Sequence, residues 1–169
     1  MPVWLSERSV TRLWGDWIRP DAYAHTTHGN GQLLPFFLEY DTGSYNLARL
    51  EAKLPGYAAL ATTTATRTPL FVHTASAARE AALRHRLTDT ADRLDLPIAT
   101  GNTQLADPTG AAWLPLGPTP STRLTPAQLA THWSGIVPAL TPETAMPQPG
   151  RHTTLPWHPI PPQPPTAGA

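Results

Sequence analysis

The chain has 169 residues, enough for one ordinary domain and too few for two. Its 12 basic and 12 acidic side chains give a formal net charge of zero, which argues against a strongly basic surface built for non-specific nucleic-acid binding. No cysteine is present, so disulfides and thiolate metal sites are excluded.

Residues 4–14 carry Trp4, Leu5, Val10, Leu13 and Trp14 at loosely helical spacing and are expected to form a short helix. Residues 17–27 read as a strand, with Pro20 placing it near an edge or a strand start. His28-Gly29-Asn30-Gly31 is a hairpin turn signal, and residues 32–41 form the return strand. Thr42-Gly43-Ser44 is a turn with Ser44 as the candidate N-cap of a helix over 45–54. Pro55-Gly56 is expected to kink or break that helix, and 62–68 to be a polar loop. Residues 69–74 are a short apolar strand. Ser76 caps a helix over 77–95, with Leu83, Leu87, Ala91 and Leu94 inward and Arg79, Arg84, Arg86 and Arg93 around its solvated side. Residues 97–104 and 111–116 read as two further strands joined by an Asp107-Pro108-Thr109-Gly110 turn. Thr125-Pro126 starts a short helix that runs to about 137.

From residue 138 onward, 10 of 32 residues are proline, a composition that cannot build a core and predicts an extended, flexible tail. The domain boundaries read from these shifts are a core over 4–117, a linker with a short helix over 118–137, and the tail over 138–169. Such a tail offers a possible protein-binding segment. Residues 1–20 lack the continuous apolar run of a signal peptide, and no run approaches the roughly 20 residues of a membrane span. A cytoplasmic protein with no membrane partner is expected.

The candidate chemistry sits at 35–53. Residues two apart on a strand share a face, so Glu39 and Asp41 project together from the end of an apolar strand. Two like charges there need a cation, a proton or a basic side chain. With the hairpin turn centred on residue 30, Asp21 falls opposite Glu39, about 5 Å away at Cβ. Lys53, the only lysine, follows on the next helix. Three oxygen ligands at one sheet edge suit Mg²⁺ or Mn²⁺, and a nearby lysine suits a charged phosphoryl transition state. The alternative is an ordinary strand end, with Glu39 paired to an arginine such as Arg19 or Arg49. His25-Thr-Thr-His28 has the spacing of a zinc pair but no cysteine to complete a site.

Arg19-Pro20-Asp21 on a strand, Phe36-Phe-Leu-Glu-Tyr-Asp-Thr-Gly43, and Lys53-Leu-x-x-Tyr57 on a helix resemble the replication-relaxation family of bacterial plasmids and other mobile elements, notably of actinobacteria. The resemblance extends over about residues 4–116. It implies an α/β, restriction-endonuclease-like mixed sheet flanked by helices, similar to the PD-(D/E)xK nucleases. It also implies DNA as partner, Mg²⁺ or Mn²⁺ as cofactor, and Asp21 and Glu39 as the two carboxylates. Asp41 stands where the lysine of that pattern is expected, and Lys53 from the helix takes its role. The winged-helix region that usually precedes this core is not found before the first strand, so a truncated product or a start upstream of Met1 is one expectation. The leading functional expectation is a mobile-element protein acting on DNA in plasmid replication or transfer, as a metal-dependent endonuclease using Asp21, Glu39, Asp41 and Lys53. Its rivals are a non-catalytic DNA- or protein-binding module and a fragment of a longer protein.

Overall fold

The computed structural model describes residues 3–27, 31–44, 46–105, 107–117, 122–137 and Pro162. Among these, six strands form one mixed sheet in chain order, β1 (Val3–Ser6), β2 (Ala22–Thr27), β3 (Leu33–Asp41), β4 (Leu70–Thr74), β5 (Ile98–Asn102) and β6 (Leu114–Pro115). Five helices accompany them: α1 (Glu7–Trp14), α2 (Leu47–Glu51), α3 (Leu54–Thr64), α4 (Ala77–Leu94) and α5 (Pro126–His132). The strands β1, β2 and β3 are antiparallel, β3, β4 and β5 are parallel, and β6 returns antiparallel to β5. The parallel pairs require crossovers, which α2–α3 and α4 supply.

Strand alternation divides the core in two. Tyr23, Phe37, Leu70, Val72 and Ile98 face one way, and Val10 and Trp14 of α1, Leu54, Tyr57 and Leu60 of α3, and Leu83, Leu87 and Ala91 of α4 cover them. Leu34, Phe71 and Ala99 face the other way, against Trp113, Leu129, Trp133 and Val137. Phe71 lies at the centre of this second layer, stacked on Phe36 at 4.4 Å and tilted against Trp113 at 4.5 Å. The α/β mixed sheet flanked by helices is therefore as expected.

Several local expectations change. Residues 3–6 are not the start of a helix. They pair with β2, Leu5 opposite Tyr23, and Leu5 is buried while Trp4 is exposed. A four-residue strand is too short for its alternation to show in sequence, and pairing to a distant partner decides it. The strand predicted from residue 17 starts at Ala22. Asn46, not Ser44, caps α2, accepting from the Ala48 N–H at 3.0 Å. Pro55 does not end a helix but lies in the first turn of α3, where its missing N–H costs nothing. That helix runs on into the start of the stretch predicted as loop, to Thr64 with a left-handed cap at Ala65, and residues 66–68 are loop as expected. Gly56 has a packing reason: a Cβ there would lie 2.6 Å from the Trp17 carbonyl oxygen. The strand predicted over 111–116 is reduced to two residues and a bridge between Trp113 and Leu124. In α5 the Thr125–Gln128 capping box is complete. The predicted turn residues 28–30 and the tail, Pro162 excepted, lie outside the described residues.

Candidate functional site

The hairpin register places the first two candidate residues together. Ala22 pairs with Leu38, and the Asp21 N–H donates to the Leu38 carbonyl at 3.0 Å, so the ladder continues toward Asp21 opposite Glu39. Asp21 Oδ2 accepts from the Tyr40 N–H at 2.6 Å, which holds this carboxylate at the mouth of β2. Glu39 points from β3 into the helix-covered face and is 5 % exposed.

Both Glu39 oxygens are engaged. Lys53 Nζ, at the junction of α2 and α3, donates to Oε2 at 2.6 Å, and the Tyr57 hydroxyl donates to Oε1 at 2.7 Å. Lys53 Nζ also donates to the Arg19 carbonyl at 3.3 Å. Lys53 and Tyr57 are four residues apart, so the start of α3 aims both at one carboxylate. Burial raises the Glu39 pKa. Lys53 and Tyr57 pull it back, Asp21 pushes it up again, and the net shift is upward. Burial also raises the Tyr57 hydroxyl well above its ordinary value, helped by Glu39 and Asp21.

Asp41 belongs to a different contact. Arg79, in the first turn of α4, donates from Nε to Oδ2 at 2.7 Å and from Nη2 to Oδ1 at 3.2 Å, and the Gly43 N–H adds a bond to Oδ1 at 3.0 Å. The bidentate geometry fixes the end of β3 against α4. The structure thus gathers Asp21, Glu39 and Lys53, while Asp41 pairs with Arg79. Among the described residues no three His, Asp or Glu side chains are grouped to hold a metal ion.

A cavity of about 310 Å³ opens beside Lys53, lined in part by Gly15, Trp17, Arg19, Gly56 and Tyr57. Trp17 is 37 % exposed, and Arg8, Arg12 and Arg19 are exposed on and just beyond α1.

Of the arginines of α4, Arg86 and Arg93 are exposed as the sequence suggests, whereas Arg79 and Arg84 are partly buried. Arg84 donates to Thr100 Oγ1 and to the Leu114 and Pro115 carbonyls, which ties α4 to β5 and β6. Arg86 pairs with Glu51 at 2.7 Å. Sequence reasoning also missed Glu80, a buried carboxylate held by Arg123 at 2.7 Å, Thr100 at 2.7 Å and Asn102. Burial raises its pKa, but the hydrogen bonds from Arg123, Asn102 and Thr100 outweigh that, and the net shift is downward. These partners come from β5 and from the segment before α5, and no local spacing announces them.

Residues 2–74 match the family described as replication-relaxation. Over that stretch the chain is similar to the replication-relaxation family. The match runs from β1 through β4 and includes Asp21, Glu39, Asp41, Lys53 and Tyr57, whereas Arg79 and the Glu80 cluster lie beyond it. No curated protein and no solved structure matches the chain. That match supports a role in plasmid or mobile-element replication. Among the described residues no helix is long and apolar enough to cross a membrane.

Proposed function

We propose that this chain serves plasmid or mobile-element replication as a DNA-associated module that binds without cleaving. The observation that carries the non-catalytic part is the Glu39–Lys53 pair. A metal-dependent phosphodiesterase needs carboxylate oxygens open to the ion. Here Lys53 and Tyr57 take both oxygens of Glu39, and Arg79 takes both of Asp41. Lys53 supplies the compensating positive charge that a divalent ion would otherwise bring. As they stand, these donors do not fit Mg²⁺ or Mn²⁺.

For DNA contact the reading rests on the family match over residues 2–74 and on Arg8 and Arg12. These lie four apart on α1 and so share a face, with Arg19 and Trp17 beyond. Filter binding with duplex DNA across a salt series tests it. Affinity should fall as salt rises, and R8E/R12E should weaken binding and lower the salt slope by about 2. No binding at low salt would overturn it.

A second reading is a metal-dependent endonuclease. The continuation of the hairpin ladder toward Asp21 opposite Glu39 favours it, with Lys53 already at hand on the following helix. In it Asp21 and Glu39 would hold Mg²⁺ or Mn²⁺, which supplies an activated water when bound. Asp41 would assist, and Lys53 would stabilise phosphoryl charge. The two readings part on supercoiled plasmid incubated with either ion. The first expects it intact; the second expects nicking that Glu39→Ala abolishes.

A further inference from the structure

We infer that the proline-rich C-terminal segment is latched onto the domain at α1, with Pro162 as its anchor. Trp14 is 1 % exposed, and its ring lies in the core 5.1 Å from Tyr23 and 5.2 Å from Phe37. A buried indole N–H must find an acceptor, because leaving it unpaired costs about 1–3 kcal/mol. Its acceptor is the Pro162 carbonyl, 3.1 Å away and 148 residues distant in sequence, and Pro162 is itself buried. A core tryptophan therefore completes its hydrogen bonding with an atom of the tail.

The chemistry suits this partner. A proline-rich stretch has few backbone donors and favours a helix without internal hydrogen bonds, so its carbonyls are available. Residues 156–165 contain Pro156, Pro159, Pro161, Pro162, Pro164 and Pro165. Aromatic side chains that receive such stretches are a recurrent recognition mode, usually between molecules; here both sides are in one chain. The connection is long enough. Twenty-five steps separate Val137 from Pro162 (162 − 137), a reach of roughly 75 Å at about 3.1 Å per residue. A domain of this size is about 40 Å across. Gly15, the next residue after Trp14, lines the cavity beside Lys53, so the latch borders that cavity.

The test uses the full chain, labelled with ¹⁵N at its tryptophan indoles, with the Trp14 signal assigned by Trp14→Phe. Pro162→Asp places a charge at the buried anchor and leaves every side chain of residues 3–137 in place. The Trp14 indole proton should exchange with solvent at least about tenfold faster in Pro162→Asp than in the native chain, while the indole of Trp113 is unaffected. Equal Trp14 exchange in the two proteins would overturn the inference. Should Pro162→Asp not fold, a protease site inserted between residues 145 and 146 decides instead. After cleavage the tail fragment should co-elute with the domain on size exclusion, and its separation would overturn the latch.

Discussion

Replacing Lys53 with methionine leaves the buried Glu39 carboxylate facing only Tyr57. Breaking a fully buried ion pair by removing one partner costs about 3–5 kcal/mol, whereas an exposed pair is worth about 0.2–1 kcal/mol. The pair here lies between those limits: the side chains are 34 % exposed for Lys53 and 6 % for Glu39, at 2.6 Å. Discounting for the solvent-facing ammonium gives a loss of about 2 kcal/mol, or a fall in Tm of about 4–8 °C for a chain of this length. The sign with pH follows from Glu39. Its folded pKa is already raised by burial, and Lys53 is one of the groups holding it down. Without Lys53 it rises further. A carboxyl with a raised folded pKa favours the native state at low pH, and that contribution is lost as pH climbs through the folded pKa. The variant should therefore lose more stability near pH 8 than near about pH 5. Urea unfolding followed by tryptophan fluorescence measures this, and Glu39→Gln in the same chain should recover more than half of the loss. A loss below about 0.5 kcal/mol, or no coupling between positions 39 and 53, would refute the claim that Lys53 neutralises Glu39.

Glu80→Ala should cost about 3 kcal/mol in urea unfolding, because Arg123 and Asn102 lose a buried anionic partner. The Glu80 pKa is lowered on folding, so its contribution is present above the ordinary carboxylate range and lost as pH falls through the folded value. Glu80→Gln should flatten the acid limb of the stability profile. Gly56→Ala should destabilise by about 1–3 kcal/mol by thermal melting, since its Cβ would collide with the Trp17 carbonyl and push α3 off the segment before β2. Phe71→Ala should cost about 3–5 kcal/mol by the same measurement, because the second core layer is built on that ring.

The hairpin and its register were legible in sequence because a Gly-Asn turn and strand alternation fix which residues face each other. That reasoning alone brings Asp21 opposite Glu39, as the observed ladder implies. The role of Lys53 was half legible: its isolation pointed to the site, but its contact with Glu39 depends on α3 starting at Leu54. The sequence suggested a break at Pro55-Gly56, because proline ends helices more visibly than it starts them. The Asp41–Arg79 pair was hidden for another reason. Its partners are 38 residues apart, joined only when β3 and α4 meet, and Arg79 looked like one cation of a solvated row. The brief β1 was illegible because four residues carry almost no periodic signal without their partner strand.

The central claim is that Lys53 holds the place a divalent cation would take at Glu39. Titrating Mn²⁺ into the full chain by calorimetry tests it most directly. The native protein should give no heat that depends on Glu39, and its trace should overlay that of Glu39→Gln up to millimolar Mn²⁺. Stoichiometric binding in the native chain that disappears in Glu39→Gln would contradict it.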